Sequence, residues 1–192
     1  QSLGERTRLS VDANYQRADG EYPFELKNGQ LITEEKRINT DIESIQGEAN
    51  LFHTFQDESE LNVKTYYFHS QRGLPGAVIL YNKESDERLW DDNFFAQARY
   101  KKVFNPQWTL QAQGKYNYSW NKYEDTGAEY VGGKQTDTNR QKEYYLSASV
   151  LYQPVKGWSL SLSQDGFINK LHTNGTNSPE PTRYSSLTAL NI

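Results

Sequence analysis

His53, His69 and His172 are the chain's only histidines, and there is no cysteine beside them. Imidazole and thiolate are the groups that most often hold zinc or activate a nucleophile. No His-x-His or His-Glu-x-x-His arrangement occurs, so no metal is expected. Gly127 to Lys134 supplies the glycines and lysine of a phosphate loop at the wrong spacing, and Gln135 stands where Ser or Thr would meet Mg²⁺. Asp91-Asp92 and Glu34-Glu35 are adjacent carboxylates. Strand neighbours point to opposite faces, so neither pair can work as an acid–base dyad. Asn174-Gly175-Thr176 and Asn117-Tyr118-Ser119 match a glycosylation sequon, a pattern frequent by chance. No enzyme and no cofactor are expected. A net charge of −4 without a Lys/Arg stripe argues against nucleic acid as a partner.

What remains is the elements that would carry these residues. Of 192 residues, 35% are hydrophobic and 14% aromatic, with fourteen Tyr. The net charge is small and the aromatics fall in alternating runs, which makes disorder the weaker reading of the composition. The clearest run spans Leu110 to Asn121. Leu110, Ala112, Gly114, Tyr116, Tyr118 and Trp120 hold one parity, and Gln111, Gln113, Lys115, Asn117, Ser119 and Asn121 the other. Period two is the mark of a strand with one apolar and one polar face. Weaker copies of this pattern predict strands at 6–17, 37–55, 60–71, 91–103, 108–121, 141–152, 158–170 and 183–192. His53 and His69 take the apolar parity, and His172 falls in a loop.

The expected fold is all-β, an antiparallel up-and-down meander of about eight long strands. Long connections at 18–36, 72–90, 122–140 and 171–182 alternate with turns at 56–59, 104–107 and 153–157. Alternating short and long connections are a habit of outer-membrane barrels. No run reaches the ~18 apolar residues of a membrane helix, but barrel strands need only ~9–11 residues of alternating character. In water the apolar face would need a second layer, and no helix is available to form one. In a bilayer it needs only lipid. Trp108 and Trp158 leave short turns while Trp90 and Trp120 border long loops, so the four are expected to mark two membrane-interface rims. The long loops offer Arg88, Trp90, Tyr123, Tyr130 and Arg140 as aromatic and cationic surfaces for a ligand. Gly73, Pro75 and Gly76 are expected to turn a strand out into its loop, through tolerated positive φ and a fixed proline φ.

Several segments resemble the barrel of TonB-dependent receptors, particularly the Bacteroidetes type. They are Ala18-Asp19-Gly20-Glu21-Tyr22-Pro23-Phe24 with Asn28-Gly29, Ser70 to Val78 around Arg72-Gly73-Leu74-Pro75-Gly76, and Arg88-Leu89-Trp90-Asp91-Asp92. Lys142-Glu143-Tyr144, Asp165 with Asn169-Lys170-Leu171, and Pro181-Thr182-Arg183 continue the resemblance across nearly the whole chain. It implies uptake of a scarce nutrient, such as an iron–siderophore, corrinoid or glycan. The implied partners are outer-membrane lipid, a plug domain and TonB. Neither a plug nor a TonB box precedes Gln1, there is no Met, and the chain ends Leu190-Asn191-Ile192 without a terminal aromatic. The expectation is therefore an excerpt of about eight strands from a barrel of ~22, unable to transport alone and prone to self-association through open edges. Two other readings stand beside it. One is a complete eight-stranded outer-membrane barrel with a structural or adhesive role; the other is a soluble carbohydrate-binding β-sandwich.

Overall fold

The computed structural model describes residues 2–77, 85–127, 131–175 and 180–192. Eight strands form one antiparallel sheet in the order β1 (Thr7–Ala18), β4 (Ile42–Thr54), β5 (Glu60–Leu74), β6 (Glu87–Asn105), β7 (Trp108–Asp125), β8 (Gln135–Tyr152), β9 (Leu160–Thr173) and β10 (Thr182–Asn191). A separate two-stranded hairpin, β2 (Tyr22–Asn28) and β3 (Leu31–Arg37), lies between β1 and β4 in the chain. Among the strands β1 pairs only with β4 and β10 only with β9; beyond that, residues 2–3 fold back on β1 through an isolated Ser2–Arg8 bridge and a Leu3 amide donating to the Thr7 carbonyl at 2.8 Å. The sheet is therefore open, which rules out a closed eight-stranded barrel. It is also a single layer, which rules out a sandwich.

Register carries the sequence alternation from strand to strand, with one irregularity between Val103 and Asn105 beside the β6–β7 turn. Across the middle of the sheet Leu9, Leu51, Val63, Ala98, Gly114, Leu146, Gly166 and Ser186 stand opposite one another. The next rung toward the long loops reads Val11, Ala49, Thr65, Ala96, Tyr116, Tyr144, Ile168 and Tyr184. Directly opposed residues share a face, so one continuous apolar face results. A one-residue slip would send every one of these side chains to the other side.

Among the described residues no hydrophobic side chain is buried; only Ser59 and Ser70 are. The accessible surface is 13655 Å² for a 22.2 kDa chain. A compact monomer of that mass exposes about 9,400 Å². Exposure alternates in the sense of a sheet curled around its polar face. On β8, Lys142, Tyr144, Leu146 and Ala148 are exposed while Glu143, Tyr145, Ser147 and Ser149 are half-buried.

Three short turns close one end. Asn105 Oδ1 accepts from the amides of Gln107 and Trp108, at 2.9 and 3.0 Å, in an Asx turn around Pro106. Asp57 caps the β4–β5 turn by accepting from the Ser59 hydroxyl at 2.6 Å, and it also pairs with Lys102 at 2.7 Å. Those hydrogen bonds hold its carboxyl far below the usual range.

At the other end the strands run further than their hydrophobic pattern. β5 to β9 extend into the segments 72–90, 122–140 and 171–182 that alternation assigns to loops, and His172 lies within β9. There the apolar-parity positions become Arg88, Lys122, Arg140 and His172, so the pattern fades while the hydrogen-bond ladder continues. The segment 18–36 is not a plain loop either, since it carries β2 and most of β3. Gly29, at φ 62, sits in the two-residue turn of that hairpin.

Candidate functional site: a clamp at the loop end and an aromatic strip on the polar face

The connection entering β4 packs onto the base of the β5–β6 loop. Asn39 adopts φ 55, a left-handed conformation that Asn tolerates better than most residues. Its Nδ2 lies 3.0, 2.6 and 2.8 Å from the carbonyl oxygens of Leu74, Ser85 and Glu87. The Gly73 amide donates to the Asp41 carbonyl at 2.9 Å. A Cβ on Gly73 would lie 2.3 Å from Asn39 Oδ1 and 2.5 Å from the Asn39 carbonyl oxygen. Close approach of two backbones, not positive φ, is what calls for glycine at 73. Gly76 is different, with φ 60, and its carbonyl accepts from Arg37 of the hairpin. Pro75 lies between them, just past the end of β5.

Arg88 grips Asp41 through both nitrogens, at 3.1 and 2.7 Å. The Arg88 guanidinium in turn holds the Asp41 carboxyl below its ordinary value. Arg88 also lies 6.0 Å from the Trp90 ring, and Lys122 lies 4.5 Å from the same ring. Trp90 is thus flanked by two cations on the apolar parity.

Of the loop residues expected to meet a ligand, the four that are described do not converge. Arg88, Trp90 and Arg140 occupy the apolar-parity face, with Arg140 opposite Trp120 and His172. Tyr123 lies on the polar face, opposite Leu89 and Asp137. Tyr130 lies outside the described residues. Arg88 and Trp90 lie within β6, Tyr123 within β7 and Arg140 within β8, where alternation sends neighbours to opposite sides.

A denser grouping occupies the polar face. Tyr145 accepts a hydrogen bond from Gln113 at 3.1 Å and donates one to Asp165 at 3.0 Å. Its ring centroid lies 4.7 Å from that of Phe167. Two strands away Tyr66 stacks on Phe95 at 5.3 Å, and Lys115 sits 4.9 Å from the Phe95 ring. Asn117 donates to Ser119 and to Glu143, each at 3.3 Å. A shallow concavity is lined by Lys115, Asn117, Glu143, Tyr145, Phe167 and Asn169 among others. Side chains of this kind offer hydrogen bonds and flat apolar rings to a polar, ring-bearing solute or to another polar protein surface. The signal for this strip was present in the sequence: Tyr66, Phe95, Tyr145 and Phe167 are aromatics on the polar parity.

The four tryptophans divide as follows. Trp108 and Trp120 share the apolar face of β7, twelve residues apart. Trp108 stacks on Tyr152 at 4.3 Å. Trp90 lies one rung beyond Trp120 toward the loops. Trp158 is 67% exposed in the β8–β9 turn. Asp92, also on the apolar parity, is met by His69 Nδ1 at 2.7 Å and the Tyr67 hydroxyl at 3.2 Å. Among the described residues no cluster of three or more His, Cys, Asp or Glu could hold a metal.

No protein-family model matches the chain, and no curated protein matches it. Among solved structures it is similar to the open form of the ferric-catecholate import receptor Fiu from E. coli K12. The TM-score is 0.41 and the identity 10%, over 99% of this chain and 44% of that one, so the chain spans less than half that receptor's length.

Proposed function

We propose that this chain is a stretch of the wall of an outer-membrane β-barrel of the TonB-dependent receptor kind, engaged in uptake of a scarce nutrient. The observation that carries the reading is an eight-stranded sheet with one mainly apolar face running across all its strands and no buried hydrophobic residue among those described. Such a face needs an apolar solvent. Trp108 and Trp120 bracket it on β7. Their spacing is about 40 Å along the strand and ~30 Å along the normal at the usual barrel tilt, close to the thickness of a bilayer's hydrocarbon core. The free edges of β1 and β10 call for further strands, since lipid cannot satisfy unpaired backbone groups. The resemblance of the Arg72-Gly73-Leu74-Pro75-Gly76 segment and its neighbours to TonB-dependent receptors supplies the receptor class.

Within this reading the polar face with its Tyr66–Phe95 and Tyr145–Phe167 pairs lines the lumen. Siderophore, corrinoid and glycan all remain compatible with it, and a plug domain and TonB are the expected partners. No catalytic role is proposed. The test is quenching of Trp108 and Trp120 by brominated lipid in vesicles. Strong quenching of each as a lone tryptophan, deepest with bromines near the headgroup, supports the wall reading. Absence of quenching in a folded sample would sink it.

A further inference from the structure

We propose that the β2–β3 hairpin is steered by the base of the β5–β6 connection, so that these two loop-end elements move as one body relative to the sheet. The inference goes beyond the wall reading and holds whatever solvent covers the apolar face. The hairpin is borne by β1 and β4. Yet its strands pair only with each other, and among the described residues they share no backbone contact with a strand of the sheet. Its two legs are pinched together where Gly20, at φ 64, passes Thr40: a Cβ on Gly20 would lie 2.2 Å from the Thr40 carbonyl oxygen. A neck of two chain segments works as a hinge, because a few φ/ψ changes between elements absorb a rotation. Something off the neck must set the angle of the hairpin.

The contacts that do so run to the β5–β6 connection. Arg37, the last residue of β3, donates to the Gly76 carbonyl. Two residues on, the Asn39 amide has two hydrogens and faces three carbonyls, those of Leu74, Ser85 and Glu87. Leu74 ends β5, and Glu87 begins β6, so one side chain ties both legs of the connection to the hairpin's stem. The Ser85 hydroxyl donates to the Leu74 carbonyl at 2.7 Å and closes the same base from within. Asp41 completes the seat. Its carbonyl accepts from the Gly73 amide, and its carboxylate takes both nitrogens of Arg88. A guanidinium fork on a carboxylate is directional as well as strong, so it resists rotation and not only separation. The hairpin is thus attached to the chain at β1 and β4 but oriented by β5 and β6. A ligand or partner that holds either loop-end element therefore holds the other.

The test uses the full-length protein in detergent micelles, with paired spin labels on a background free of other cysteines, read as dipolar distance distributions. One pair joins the hairpin turn to the sheet, through Gln30→Cys and Gln97→Cys. The other joins it to the β5–β6 connection, through Gln30→Cys and Ala77→Cys. All three positions are exposed. Without further substitution, the hairpin-to-connection distribution should be the narrower of the two. N39G/D41A removes the amide and the carboxylate while glycine keeps the left-handed backbone, and it should widen both distributions about twofold. Amide exchange at 73–76 and 85–88 should then rise roughly tenfold, as lost hydrogen bonds to a charged group imply, with the β7–β8 ladder unchanged. Lys36→Gln, which breaks an ion pair with Glu21 inside the hairpin unit, should widen neither distribution. A hairpin-to-connection distribution as broad as the hairpin-to-sheet one overturns the proposal without need of a latch variant. So does an N39G/D41A protein that keeps its β7–β8 ladder and both narrow distributions, or widening by Lys36→Gln equal to that of the double variant.

Discussion

The two faces of the β8 strand obey opposite rules within one residue of each other. Leu146 is 72% exposed and flanked by Gly114 and Gly166, with nothing above it. Its neighbour Tyr145 is half-buried, holds two hydrogen bonds and packs on Phe167. In a water-soluble sheet the apolar side chain would be covered and the polar one exposed. The inversion teaches that stability here is divided between two solvents: the apolar face depends on what surrounds the sheet, and the polar face on bonds the sheet makes to itself.

The largest effect should come from placing charge on the apolar face. Leu146 lies opposite Gly114, midway between Trp108 and Trp120. Leu146→Arg is expected to cost ~2–4 kcal/mol in vesicles, whereas Ser147→Arg, one residue away on the polar face, should cost under about 1 kcal/mol. Denaturant titration of the vesicle-bound protein measures both, and equal costs would abolish the distinction between the faces. Next comes the loop-end clamp, where neither face rule applies. Gly73→Ala forces a methyl into Asn39 and should destabilise by about 1–3 kcal/mol, with the loss concentrated in amide exchange at residues 37–41 and 73–75. Uniform loss of protection across the sheet would show that the clamp is not a local device.

Smaller still, Tyr145→Phe removes a hydroxyl that joins Gln113 to Asp165. A cost near 1 kcal/mol is expected, with membrane partition unchanged, because only the polar face is touched. The smallest effect should appear at the turn end. The Asp57 carboxyl is held below its unfolded value by Lys102 and Ser59, so its contribution is present above the ordinary carboxylate range and is lost on acidification toward its depressed folded value. The stability difference between native protein and Asp57→Asn should be flat above about pH 5 and shrink below pH 4. A difference that grew on acidification would reverse the assigned sign.

Much of the architecture was legible because period-two alternation is a local property. Leu110 to Trp120 reads as a strand face from residue types alone, and Asn105-Pro106 reads as its turn. Alternation failed at the loop end, where Arg88, Lys122 and Arg140 replace apolar residues on the same parity while backbone pairing continues. The β2–β3 hairpin carried a readable Asn28-Gly29 signal, but Glu34-Glu35 and Lys27 blurred the alternation around it. Of the candidate ligand residues, types were readable and directions were not. Arg88 reads as a cationic surface of a long loop, and the structure pairs it with Asp41, 47 residues away in sequence.

By itself the sequence determined that the chain builds antiparallel strands with one apolar and one polar face, because side-chain alternation follows from the backbone's own pleat. Only the tertiary structure decided that the sheet stays open between β1 and β10. It alone decided that Gly73 is required by Asn39 and that Lys142 faces Lys170. Each of these depends on register between strands, set by the sum of all rungs and not by any one segment.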